Sequence, residues 1–213
     1  MSRARFPRRF PAGILALAAL GLCVAPVAAQ DPGNDPRSVT LLSSDAHGRR
    51  CGTAVMAGDS SDRTIATCIR ALRNSRLSRE GEVQLRVNLG VTHLRRREGE
   101  AALEQFDAVL VLDARLGEAH LNRGAALVQL GHFGPAVAAI TEALGLGVSE
   151  PHKAYLNRGV ARESLRDLRG AYEDYSTALE IQPDWGPANA ELARFTRARR
   201  EHLANVLSEP GTP

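Results

Sequence analysis

The string Leu121-Asn122-Arg123-Gly124 returns as Leu156-Asn157-Arg158-Gly159, and Val87-Asn88-Leu89-Gly90 stands one period upstream. Gly90 and Gly124 are 34 residues apart, and Gly124 and Gly159 are 35 apart. A period of that length, rebuilt each time on the same small residues, marks helix pairs stacked into a solenoid. One such pair cannot bury its apolar face alone. Its neighbours must cover it, and the stack exposes one long concave wall that suits binding better than catalysis.

Alignment on the glycines gives units at 83–116, 117–150 and 152–185, with one extra residue near Pro151. Each reads as two helices, with turns near Arg97–Gly99, Gly131–Gly134 and Arg166–Leu168. The glycines are expected to face Ala102, Ala136 and Ala171 of the following helix, because close helix approach requires small residues at the crossing. Glycine costs a helix about 1 kcal/mol against alanine, so its return at one phase argues for packing. Phe106, Ile140 and Tyr175 then fill the space beside each crossing, and Val109, Ala143 and Ala178 occupy the next small-residue phase.

Glycine, alanine twelve residues on, a large residue four later and a small one three after that: this pattern resembles the tetratricopeptide repeat. Tyr155–Asp184 carries it throughout. The resemblance implies an all-α, right-handed superhelix. Phase extension implies a degenerate unit at 45–78, with Arg79–Glu82 inserted before the next unit. Gly186–Leu207 reads as a capping helix, with Ala188, Leu192, Phe195 and Leu203 on its apolar stripe, and 208–213 as a disordered tail. In the degenerate unit Cys51 and Cys68 fall in columns that touch within the family's helix pairs. The resemblance therefore implies a disulfide, with two buried free thiols as the alternative.

The first residues read as an export signal. Arg3, Arg5, Arg8 and Arg9 precede an apolar run from Pro11 to about Ala25, and Val27-Ala28-Ala29 offers a cleavage site. The run is short of the roughly 20 residues a bilayer span needs. Cleavage after Ala29 leaves a 30–44 linker, rich in Pro, Gly, Asn and Asp, and a periplasmic or secreted bacterial protein with no remaining span. The whole chain carries +3, but residues 1–29 hold four arginines and no acid, so the remainder is −1. Basicity therefore gives no ground for a nucleic-acid partner.

Catalytic signatures are missing. His47, His93, His120, His132, His152 and His202 are scattered, and no HExxH, CxxC or phosphate loop occurs. Neither a catalytic residue, a metal nor a cofactor is assigned, and the chain is expected to be a non-enzymatic scaffold for protein–protein interaction, with an envelope assembly factor or chaperone as the alternative. Asn88, Asn122 and Asn157 share one phase. By resemblance this column faces the groove and holds a peptide's backbone; on the other reading each amide bonds a neighbouring helix or solvent. Gln84, Glu118 and Lys153, four residues earlier in each unit, are the nearest further groove candidates. Val87, Leu121 and Leu156 stand where the family's two-carboxylate clamp, which grips a partner's C-terminus, uses cations. Arg123 and Arg158 are expected to reach acids such as Asp107, Glu142 or Asp174.

Overall fold

The computed structural model describes residues 46–73 and 77–208. The expected leader, the 30–44 linker and positions 209–213 lie outside the described residues. Nine helices and no strand occur among those described: α1 (Ala46–Met56), α2 (Asp62–Leu72), α3 (Arg79–Arg95), α4 (Gly99–Leu112), α5 (Gly117–Gln129), α6 (Phe133–Leu146), α7 (Pro151–Ser164), α8 (Leu168–Ile181) and α9 (Gly186–Ser208). The fold is the all-α repeat superhelix. Successive helices pair as α1/α2, α3/α4, α5/α6 and α7/α8, with α9 against α8. The first helices also touch in series, α1 on α3, α3 on α5 and α5 on α7. No comparable contact joins α2 to α4, α4 to α6 or α6 to α8 among the described residues. The first helices are therefore the crowded, inner wall, and the second helices are splayed outside.

Local chemistry sets the boundaries. The Ser61, Ser78 and Asp167 side chains accept hydrogen bonds from the backbone N–H of Thr64, Gly81 and Gly170, satisfying donors that a helix start leaves open. Pro151 begins α7, where its missing N–H costs little. Two boundaries differ from expectation. Arg79–Glu82, expected as an insertion, forms the first turn of a 17-residue α3 because Ser78 caps the helix ahead of them. Pro151 is likewise not an extra residue outside the unit. The turns within the α3/α4, α5/α6 and α7/α8 pairs each place one residue in the left-handed region: Arg97 (φ 60°), Gly131 (φ 75°) and Arg166 (φ 66°). Glycine takes that conformation freely, whereas each arginine pays about 1 kcal/mol.

The glycine column meets a different partner than expected. A Cβ at Gly90 would lie 2.7 Å from the Phe106 ring, and one at Gly159 would lie 2.6 Å from Tyr175 Cε1; one at Gly124 would collide with Ile140 Cγ1. The large residues thus seat directly on the glycines. The alanine column lies beside them, with the Ala136 and Ala171 carbonyl oxygens 3.5 and 3.3 Å from the Cβ positions of Gly124 and Gly159. Phe106, Ile140 and Tyr175 are wholly buried as a result.

The two ends are held differently. Between α1 and α2 the structure joins buried Cys51 to Cys68 by a disulfide, with Cα atoms 4.9 Å apart. Arg95 donates to the Val55 carbonyl at 2.6 Å, and Arg96 reaches the Asp62 carboxylate at 2.7 Å, tying this hairpin to the end of α3. At the other end the Phe195 ring of α9 lies edge-on to Tyr175, centroids 5.8 Å apart. The Tyr175 hydroxyl donates to Glu163 at 2.8 Å, and Arg194 grips the same carboxylate at 2.6 and 2.9 Å. No helix among the described residues is long and apolar enough to cross a membrane.

Candidate functional site

The inner wall carries the recurring asparagines, Asn88 on α3, Asn122 on α5 and Asn157 on α7. None stands open on the wall: they are 5, 6 and 3% exposed. Even so, Asn122 Nδ2 and Asn157 Oδ1 are buried without a hydrogen-bond partner among the described residues. Leaving such a group unpaired costs about 1–3 kcal/mol. The unpaired group is a donor on Asn122 and an acceptor on Asn157, at one phase of successive repeats.

The residues four positions earlier are occupied. Gln84 is buried. The Glu118 carboxylate accepts the backbone N–H of Ser149 at 3.1 Å, so it anchors the α6–α7 loop rather than facing freely into the groove. Lys153 Nζ lies 2.9 Å from Glu150 Oε2, with both side chains more than four-fifths buried. Sequence reasoning missed Glu150, although an acid three residues ahead of a lysine at a helix start is a readable pairing signal.

The arginines beside the asparagines point elsewhere. Arg123 Nε meets Asp107 of α4 at 2.6 Å. Arg158 Nη2 meets Asp174 of α8 at 2.7 Å, Arg162 Nη1 meets the same carboxylate at 3.0 Å, and Arg158 Nη1 also donates to Thr141 Oγ1. Glu142, the third acid expected, is not among their partners. Arg158 also lies 5.3 Å from the Tyr155 ring centroid. These heads brace the inner helices against the outer ones.

The histidines pack or pair singly. His152 is buried edge-on to the Trp185 ring, centroids 4.7 Å apart, and its Nε2 has no hydrogen-bond partner among the described residues. Burial pulls its pKa below the ordinary value, against a smaller upward pull from Glu150. His93 Nδ1 lies 2.6 Å from Glu98, whose carboxyl is held below its usual range first by that bond and then by Arg96. His120 Nε2 lies 2.9 Å from the Ala114 carbonyl. No group of three or more potential metal ligands exists among the described residues. What the wall offers is hydrogen-bonding amides and shape.

Residues 152–184 match the tetratricopeptide repeat family. Over 110 residues the chain is 29% identical to the SGT1 homolog of rice, covering 52% of this chain and 29% of that protein. Among solved structures it is similar to the second tetratricopeptide domain of human RPAP3, in complex with the HSP70 peptide SGPTIEEVD, with TM-score 0.51 and 24% identity over 56% of this chain and 98% of that one. It is also similar to MamA of Desulfovibrio magneticus, with TM-score 0.59 and 16% identity over 81% of this chain and 90% of that one. At these identities the structural likenesses show the fold. Residues 152–184 thus match a tetratricopeptide repeat, within a helical solenoid of the same fold.

Proposed function

We propose that the protein is an exported, non-enzymatic scaffold whose inner wall receives an extended peptide segment of a partner protein. The observation that carries this reading is one buried, unpaired amide atom on each of two residues at matched positions, Asn122 Nδ2 on α5 and Asn157 Oδ1 on α7. An amide both donates and accepts, so it can complete the hydrogen bonds of an extended backbone with little regard for side chains. The peptide bound to the human RPAP3 domain supports an occupant of this kind. The basic, apolar and small-residue order of positions 1–29 supports export, and the Cys51–Cys68 disulfide suits an oxidising compartment.

The test is capture of a stoichiometric partner from a native envelope by crosslinking and mass spectrometry, repeated with Asn122→Ala and Asn157→Ala together. The double variant should lose most of the captured partner while its helical circular dichroism stays unchanged. Full retention of affinity would exclude the groove as described. The low side-chain selectivity of an amide row also favours a second reading, a holder of many unfolded envelope clients. That reading predicts weak capture of many proteins and suppression of their aggregation.

A further inference from the structure

The cations nearest the asparagine column, Lys153, Arg123 and Arg158, are each paired. Of the three positions preceding the asparagines only one is basic, Lys153, and its ammonium is neutralised at 2.9 Å by Glu150 from the same helix start. Glu118 adds a second carboxylate to the wall one repeat earlier, held there by the Ser149 N–H. The two arginines adjacent to the amides are spent on Asp107 and Asp174 of the outer helices. Where cations could have stood, Val87, Leu121 and Leu156 are buried core residues. One ammonium against two carboxylates leaves the wall with no attraction for a partner's terminal carboxylate. Such a group would have to displace Glu150 from Lys153 in a partly desolvated place.

We propose that this groove takes internal segments of its partners, reading the polypeptide backbone in mid-chain, and does not recognise a free C-terminus. The inference rests on the peptide-binding reading above and adds the class of ligand. Mid-chain backbone presents neutral N–H and C=O groups alone, which is what two amides with unsatisfied ends can complete. Asn122 and Asn157 sit one repeat apart, so a segment spanning α5 and α7 meets both. Lys153 and Glu150, closed on each other, ask nothing of it.

The test uses an array of 12-residue peptides tiling a model unfolded protein, each made as the free acid and as the C-terminal amide, with SGPTIEEVD in both forms beside them. Affinities are measured for the wild-type chain and for Glu150→Gln, which removes the carboxylate charge paired with the Lys153 ammonium. The wild type should bind a subset of peptides with acid and amide forms equal within about twofold. Glu150→Gln should raise the preference for the acid form by about tenfold or more, the value of one charge-assisted hydrogen bond. Wild-type binding that requires the free acid, by tenfold or more, overturns the inference and leaves the peptide-binding reading standing. Equal binding of acid and amide forms by both the wild type and Glu150→Gln upholds the mid-chain class and removes Lys153–Glu150 as its cause. Failure to bind any peptide in either form sinks the peptide-binding reading, and this inference with it.

Discussion

Gly159→Ala should destabilise the third repeat, and the size of the effect follows from what surrounds the new methyl. It would stand 2.6 Å from Tyr175 Cε1 and 2.8 Å from Cδ1, about 1 Å inside the favourable carbon–carbon separation. The ring has nowhere to go. Tyr175 is fully buried, its hydroxyl is held by Glu163, and the Phe195 ring lies against it at 5.8 Å. Overpacking of this kind costs about 1–3 kcal/mol, offset by about 1 kcal/mol of helix propensity. Because the ring cannot yield, the overpacking cost falls in the upper part of that range, about 2–3 kcal/mol, so the net loss is about 1–2 kcal/mol, or roughly 2–8 °C in Tm for a chain of this size. Gly134→Ala is the matched control. It also lies within a helix, but nothing stands within 4 Å of the added carbon, so that variant should gain about 0.5 kcal/mol. Thermal unfolding followed by circular dichroism reads the whole solenoid, and fluorescence of Trp185, the only tryptophan, reads the α7–α9 end. Equal or greater stability of Gly159→Ala, beside a Gly134→Ala that gains as expected, would refute the idea that the glycine column exists to seat the large residue.

Three further outcomes are expected. Asp174 is 2% exposed and paired with Arg158 and Arg162, so Asp174→Ala should cost about 3 kcal/mol, the low end for a broken buried pair because both arginines keep some access to water; urea titration checks it. The folded state favours neutral His152, so its contribution is complete above the unfolded pKa of about 6.5 and is lost as pH falls through the lower folded value. Stability measured from pH 7.5 to 5 should therefore drop less in His152→Phe than in the wild type. If the proposed leader, which holds Cys23, is removed, only Cys51 and Cys68 remain, and the denatured, unreduced protein should show no free thiol; reduction should loosen α1–α2 by about 3 kcal/mol of loop-closure entropy and leave the signals of α5–α9 in place.

The architecture could be read from the chain because its cause is periodic. A glycine facing a large residue sixteen positions on is a constraint that each repeat must meet, so it recurs in print. The depth of Asn122 and Asn157 could not be read the same way, since burial depends on how far α5 and α7 close on each other. The state of Lys153 was hidden for a different reason. Its partner Glu150 sits just ahead of α7, beside the extra residue that alignment on the glycines leaves, and so belongs to no repeated column. Glu118 was hidden by tertiary contact, for its partner is a backbone N–H 31 residues away in a loop. Arg158 shows the middle case: its candidate acids were legible by phase, and only the fold selected Asp174 over Glu142.

The central claim is that the Asn122 and Asn157 amides are completed by a bound segment. Side-chain amide NMR signals of 15N-labelled protein, followed while a binding peptide is added, test this directly. The Asn122 and Asn157 NH2 pairs should shift together and saturably. Asn189, whose Nδ2 already donates to the Pro183 carbonyl at 3.0 Å, should stay fixed. Peptide binding that leaves the Asn122 and Asn157 signals unmoved would contradict the account.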